Sequence, residues 1–139
     1  MIIFYSINKD EESVKKEALK RASAFYNKNI NEIQKTPKGK PILGNLFISI
    51  SHTKNILVIA FSEKNVGIDI EALDRKIKIK MTIKEWTEYE SFCKWTGEGI
   101  STLSLYKPYP KDNIFNILDI SGYIISICSE DRDYSIVKI

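Results

Sequence analysis

The chain has 139 residues, which suits one domain, and its 43% apolar and 11% aromatic content supports a hydrophobic core without metal or disulfide staples. A net charge of +3 is too small to argue for nucleic acid as the partner, although a local basic surface can still attract a phosphorylated or acidic one. There is no apolar run long enough to span a membrane, MIIFYSINKDEE turns polar too early for a signal peptide, and Cys93 and Cys128 lack zinc or redox spacing, so a cytoplasmic protein with reduced cysteines is expected.

The run from Ile2 to Ser6 predicts a short strand. Asn8 or Asp10 then caps a helix over Glu11 to Asn27, with Val14, Ala18, Ala22 and Phe25 as its apolar stripe. The segment from Asn29 to Asn45 carries Pro37, Gly39, Pro41 and Gly44 and reads as a loop with little regular structure. Within it, Lys38 and Lys40 flank Gly39, a flexible basic loop able to meet phosphate. Strands follow at Leu46 to Ser51 and Ile56 to Ser62, joined through His52 to Asn55. His52 is the only histidine and stands beside Ser51 and Thr53, a setting open to a structural, surface or phosphate-contacting role.

The next strand, GIDIE, alternates polar and apolar residues. Asp69 and Glu71 therefore point the same way, about 6 to 7 Å apart, with Ile68 and Ile70 toward the core and the acids where the sheet meets solvent. Two carboxylates so spaced can converge on one hard cation such as Mg²⁺, and the same alternation also fits an ordinary half-buried strand with a solvated outer face. DRKIKIK is a basic connector. Thr82 with Glu85 forms a capping box that opens a helix running to about Thr96 and stopping at Gly97 and Gly99. On that helix Glu90 and Lys94 share a face with Trp86, a pairing common on helix surfaces, while Tyr89, Phe92, Cys93 and Trp95 read as packing residues.

Strands return at Ile114 to Leu118, Tyr123 to Ser129 and Tyr134 to Lys138, with turns at Gly122 and Glu130 to Asp133. Sliding the chain by 68 residues lays Phe115 on Phe47, Ile124 on Ile56, Ile127 on Ile59 and Ile136 on Ile68, and overlays the two helices. This predicts a single α+β domain, residues 1–139, built as two similar lobes (about 1–66 and 67–139) related by a pseudo-twofold axis. Any site is then expected at the seam, where Asp69 and Glu71 fall. A chain containing both lobes need not borrow one, so a monomer is expected.

Five motifs stand in order: Gly39-Lys40-Pro41, Ile50-Ser51-His52, Gly67-Ile68-Asp69-Ile70-Glu71, the run Trp86 to Lys94, and Gly97-Glu98-Gly99-Ile100. Together they resemble the 4′-phosphopantetheinyl transferases, particularly the Sfp-like branch. The departures are Tyr89 in place of a lysine, Ser49 in place of an asparagine, and a shorter segment between Glu71 and Trp86. The resemblance implies that family's two-lobed fold and a Mg²⁺-dependent transfer of phosphopantetheine from coenzyme A to a serine of an acyl or peptidyl carrier protein. Adenosine 3′,5′-bisphosphate is the other product. It implies Asp69, Glu71 and Glu90 as metal ligands, and Glu90, directly or through water, as the base. It also implies that Lys94 steadies the phosphate and leaving group, that Ser51 and His52 contact the diphosphate, and that Lys38, Lys40 and Pro41 meet the nucleotide end of coenzyme A. The alternative is a non-catalytic module of the same fold that binds coenzyme A or a carrier protein.

Overall fold

Both helices begin where a side-chain cap precedes an apolar pattern of helical period. In the computed structural model, which describes residues 1–30, 32–99 and 108–139, Asp10 accepts a bond from the Ser13 amide at 2.9 Å and opens α1 (Glu11–Tyr26). Thr82 and Glu85 exchange the two bonds of a capping box and open α2 (Ile83–Thr96). Asn27 and Gly97 end the helices in the left-handed region, at φ 50° and 76°. Val14, Ala18 and Ala22 are buried as expected, but Phe25 is 54% exposed. Tyr26 takes the inward place instead, its hydroxyl donating to the Phe61 carbonyl at 2.8 Å.

The strands are β1 (Ile2–Ile7), β2 (Gln34–Lys35), β3 (Pro41–Leu43), β4 (Leu46–Thr53), β5 (Ile56–Ser62), β6 (Val66–Ala72), β7 (Ile114–Ile117), β8 (Tyr123–Ser129) and β9 (Ser135–Lys138). They form a larger sheet of order β2-β3-β4-β5-β1-β9 and a smaller one of order β6-β8-β7, so the protein is of the mixed α+β class. In each sheet a hairpin (β4–β5, β7–β8) pairs through its second strand, antiparallel, with the strand that precedes a helix (β1, β6). The segment read as irregular contains β2 and β3, because the hairpin at Gly44-Asn45 pairs Ile42 with Phe47 and Leu43 with Leu46 despite the surrounding prolines and glycines. Strand β4 extends through His52 and Thr53 before turning at Lys54, whose φ is 49°. Ile100 of the last motif lies outside the described residues.

Alternation along the strands sorts the core into layers. One face of the larger sheet packs Phe4, Ile48, Ile59 and Phe61 against Val14, Ala18 and Ala22 of α1. Its other face gives Ile3, Val58 and Ala60 to a second core shared with Ile68, Ile70, Ile125 and Ile127 of the smaller sheet. Helix α2 covers the remaining face of the smaller sheet. Its approach to β6 depends on Gly67: a Cβ there would lie 2.0 Å from the Ser91 carbonyl oxygen and 2.5 Å from the Trp95 nitrogen. Thr87 and Ser91 are fully buried and bond their hydroxyls back to the carbonyls of Ile83 and Glu88, so neither hydroxyl is left unpaired where helix meets strand. The acids of β6 are thus not at the edge of solvent. Asp69 and Glu71 are each 3% exposed, because α2 rather than water covers their face. Among the described residues, no helix is long and apolar enough to cross a membrane.

Candidate functional site

The edge of β6 not paired with β8 faces β4, and hydroxyls fill the gap. Ser49, Ser51 and Thr53 alternate along β4 and so share a face. Ser49 Oγ accepts from the Ile68 amide at 3.0 Å, and Ser51 Oγ accepts from the Ile70 amide at 3.3 Å. Ser51 then donates to Asp69 Oδ1 at 2.7 Å, and Thr53 donates to Glu71 Oε2 at 3.2 Å. The same serine column joins the two sheets and orients the acids.

Glu90 reaches this place from α2. Carboxylate oxygens of Asp69, Glu71 and Glu90 lie within 4.8 Å of one another. Lys94, one turn beyond Glu90, donates to Asp69 Oδ1 at 2.8 Å, and Arg75 pairs with Glu71. Asp69 Oδ2 is buried without a hydrogen-bond partner. Burial, followed by the Asp69 charge and a hydrogen bond to Asp69, pushes the Glu90 carboxyl up to about 8, with Lys94 and Arg75 only partly opposing. Three acids crowded with two cations therefore leave Asp69 Oδ2 with no N–H or hydroxyl donor and raise the proton affinity of Glu90. A hard divalent cation relieves both, since it takes carboxylate oxygens as ligands and displaces the proton. The donor set fits Mg²⁺ on these grounds.

Beside the acids lies a cavity of about 280 Å³ lined by Lys38, Lys40, Pro41, Ser49, Cys93 and Lys94 among others, so Lys94 faces both the acids and this space. Lys38 is exposed. Lys40 instead turns its ammonium to Asn65 Oδ1 at 3.0 Å and the Trp95 carbonyl at 2.8 Å, and burial pulls its pKa down. It ties the basic loop to the end of α2. His52 follows Ser51 on β4 and so projects from the opposite face; it is exposed and within electrostatic range of Glu11.

The structure thus gathers Asp69, Glu71, Glu90, Lys94 and Ser51, sets Lys38, Lys40 and Pro41 on the adjoining cavity, and leaves His52 apart from the acids. Tyr89 is 1% exposed and packs edge-on to Tyr109 at 6.2 Å, so the position where the resembled family carries lysine is here a core position. Sequence reasoning gave Ser49, Thr53 and Arg75 no part in holding the acids. The alternation of hydroxyls in SISHT and the four-residue step from Glu71 to Arg75 were the available signals. A scan of protein-family models gives no match to this chain, and a search of curated proteins likewise gives none.

Proposed function

We propose that this protein is a Mg²⁺-dependent 4′-phosphopantetheinyl transferase, acting on coenzyme A and a serine of an acyl or peptidyl carrier protein. The observation that carries the reading is the convergence of Asp69, Glu71 and Glu90 within 4.8 Å, beside Lys94 and a lysine-bordered cavity. The order β4-β5-β1 within the larger sheet parallels β7-β8-β6 in the smaller one, which supports the accompanying two-lobed architecture with the acids at the seam, although β9 joins the larger sheet beside β1. A cytoplasmic monomer belongs to the same proposal.

In the reaction the carrier serine oxygen bonds to the phosphorus that bears pantetheine. The bond from that phosphorus to the oxygen shared with the nucleotide phosphate breaks, adenosine 3′,5′-bisphosphate leaves, and the serine proton must be taken up. Mg²⁺ held by Asp69, Glu71 and Glu90 would offset the negative charge of the diphosphate. Ser51 and Lys94 fix Asp69 from two sides, so the acid cannot turn away when the site fills. Lys94 then presents its remaining donors toward the cavity, where an anionic leaving group can be met. Glu90, directly or through water, is placed to accept the serine proton. Arg75, Lys76, Lys78 and Lys80, which follow β6 in the chain, are exposed and offer positive charge complementary to an acidic carrier.

Incubation with coenzyme A, Mg²⁺ and an apo carrier protein tests the proposal by intact mass. A gain of one phosphopantetheine on the carrier serine is expected. Binding of coenzyme A or carrier without any mass change, in a panel of fatty-acid, polyketide and peptidyl carriers, would favour the non-catalytic module instead.

A further inference from the structure

Successive positions on an α-helix are about 100° apart, so Glu88 and Glu90 lie on opposite flanks of α2. Glu90 and Lys94 reach toward Asp69 on β6, whereas Glu88 reaches toward β7 on the other edge of the smaller sheet. There Asn116 Nδ2 donates to Glu88 Oε1 at 2.8 Å and the Tyr109 hydroxyl donates to Oε2 at 3.2 Å, with Lys84 3.7 Å away. The Glu88 side chain is only 13% exposed, so its charge is held by these donors rather than by bulk water. Asn116 is in turn fixed by Ser126, whose hydroxyl donates to its Oδ1 at 2.6 Å. The strand register places Asp69, Ser126 and Asn116 in one row across the sheet. One row of the sheet thus grips α2 from both flanks, through the candidate metal site on one side and Glu88 on the other.

We infer that Glu88 is a positioning residue: through Asn116 it sets the rotation of α2 about its axis, and thereby the reach of Glu90 and Lys94 to Asp69. Directly beneath α2 the contacts are made by Gly67, Thr87 and Ser91, which are small, with Tyr89 and Cys93 buried beside them; Glu88 adds a directional polar tether on the β7 flank. The inference rests on the metal reading above, and its test separates the two.

Mn²⁺ binding to the carrier-free protein is measured by calorimetry, alongside thermal unfolding, for Glu88→Ala, Glu88→Gln, Asn116→Ala and Glu85→Ala. Glu88→Ala and Asn116→Ala are expected to weaken Mn²⁺ binding by roughly ten-fold, the scale seen when a group that orients metal ligands is removed. Glu88→Gln retains an acceptor for Asn116 and is expected to recover most of the affinity. Glu85→Ala breaks the capping box of the same helix and is expected to lower the unfolding temperature with Mn²⁺ affinity unchanged. Wild-type affinity in both Glu88→Ala and Asn116→Ala, or an equal loss in Glu85→Ala, overturns the positioning role while leaving the metal site standing. Absence of Mn²⁺ binding in the wild type removes both.

Discussion

Asp69 shows how neighbours can engage the two oxygens of one carboxylate unequally. Its Oδ1 is shared by Ser51 and Lys94, while Oδ2 is buried and meets no N–H or hydroxyl donor. Asp69→Asn keeps the shape and removes the charge. We expect it to abolish metal binding and phosphopantetheine transfer with the far-ultraviolet circular dichroism unchanged; a variant that still binds Mg²⁺ at wild-type affinity would refute the ligand assignment. Glu90 gives a prediction with a definite sign. Its folded-state pKa lies at about 8, above the ordinary value of 4.5, so without a cation the native state holds a proton that the unfolded chain releases. The stabilisation is complete below about pH 4.5 and declines as pH rises toward 8. Thermal unfolding in EDTA should therefore show falling stability across that interval relative to Glu90→Gln, and added Mg²⁺ should reverse the trend. Parallel pH profiles for the wild type and Glu90→Gln would contradict it. The acids and Lys94 were legible as residues that share faces of their elements. The raised pKa was not, because it arises from burial and from Asp69, which comes from another segment.

At the level of elements, the close meeting of α2 and β6 is what converts two acids on a strand into three acids around a point. Gly67 permits it. Gly67→Ala sets a methyl group into the path of Ser91 and Trp95, both backbone contacts that cannot simply rotate away. Overpacking of this kind costs on the order of 1–3 kcal/mol, and it should also separate Glu90 from Asp69. The expected result is a lower unfolding temperature together with weaker Mg²⁺ binding, measured by scanning calorimetry and titration calorimetry. Loss of stability with metal affinity intact would show that the helix tilts without moving Glu90. Elements with strong local signals were legible: both caps, the end of α2 at Gly97, and strands β5, β6 and β8. The short pair β2 and β3 was hidden because Pro37, Gly39, Pro41 and Gly44 signal breaks, whereas the pairing of Ile42 with Phe47 depends on a neighbour supplied by the hairpin.

Across the whole molecule, the apolar core between the sheets decides cooperativity. Ile3 and Val58 from the larger sheet share that core with Ile68 and Ile127 from the smaller one, and the Ser49 and Ser51 bonds cross the same boundary. Neither sheet keeps its buried face alone, so unfolding should be a single transition, with equal calorimetric and van't Hoff enthalpies. Two separated transitions would mean that the sheets are independent units. Ser51→Ala, which removes the hydroxyl donor to Asp69 and the acceptor of the Ile70 amide, should lower that one transition and weaken metal binding together.

Spacing along the chain was sufficient to determine where helices start, which residues alternate on a strand, and that Asp69 and Glu71 point one way while Glu90 and Lys94 share a helix face. These are properties of each element's own geometry. Only the tertiary structure decided what those faces meet: α2 closes over the acids so that they are buried rather than solvated, His52 falls on the far side of β4, and Tyr89 enters the core. The reason is that side-chain direction follows from local backbone repeat, whereas burial, charge crowding and the Glu88 grip depend on segments brought together from distant parts of the chain.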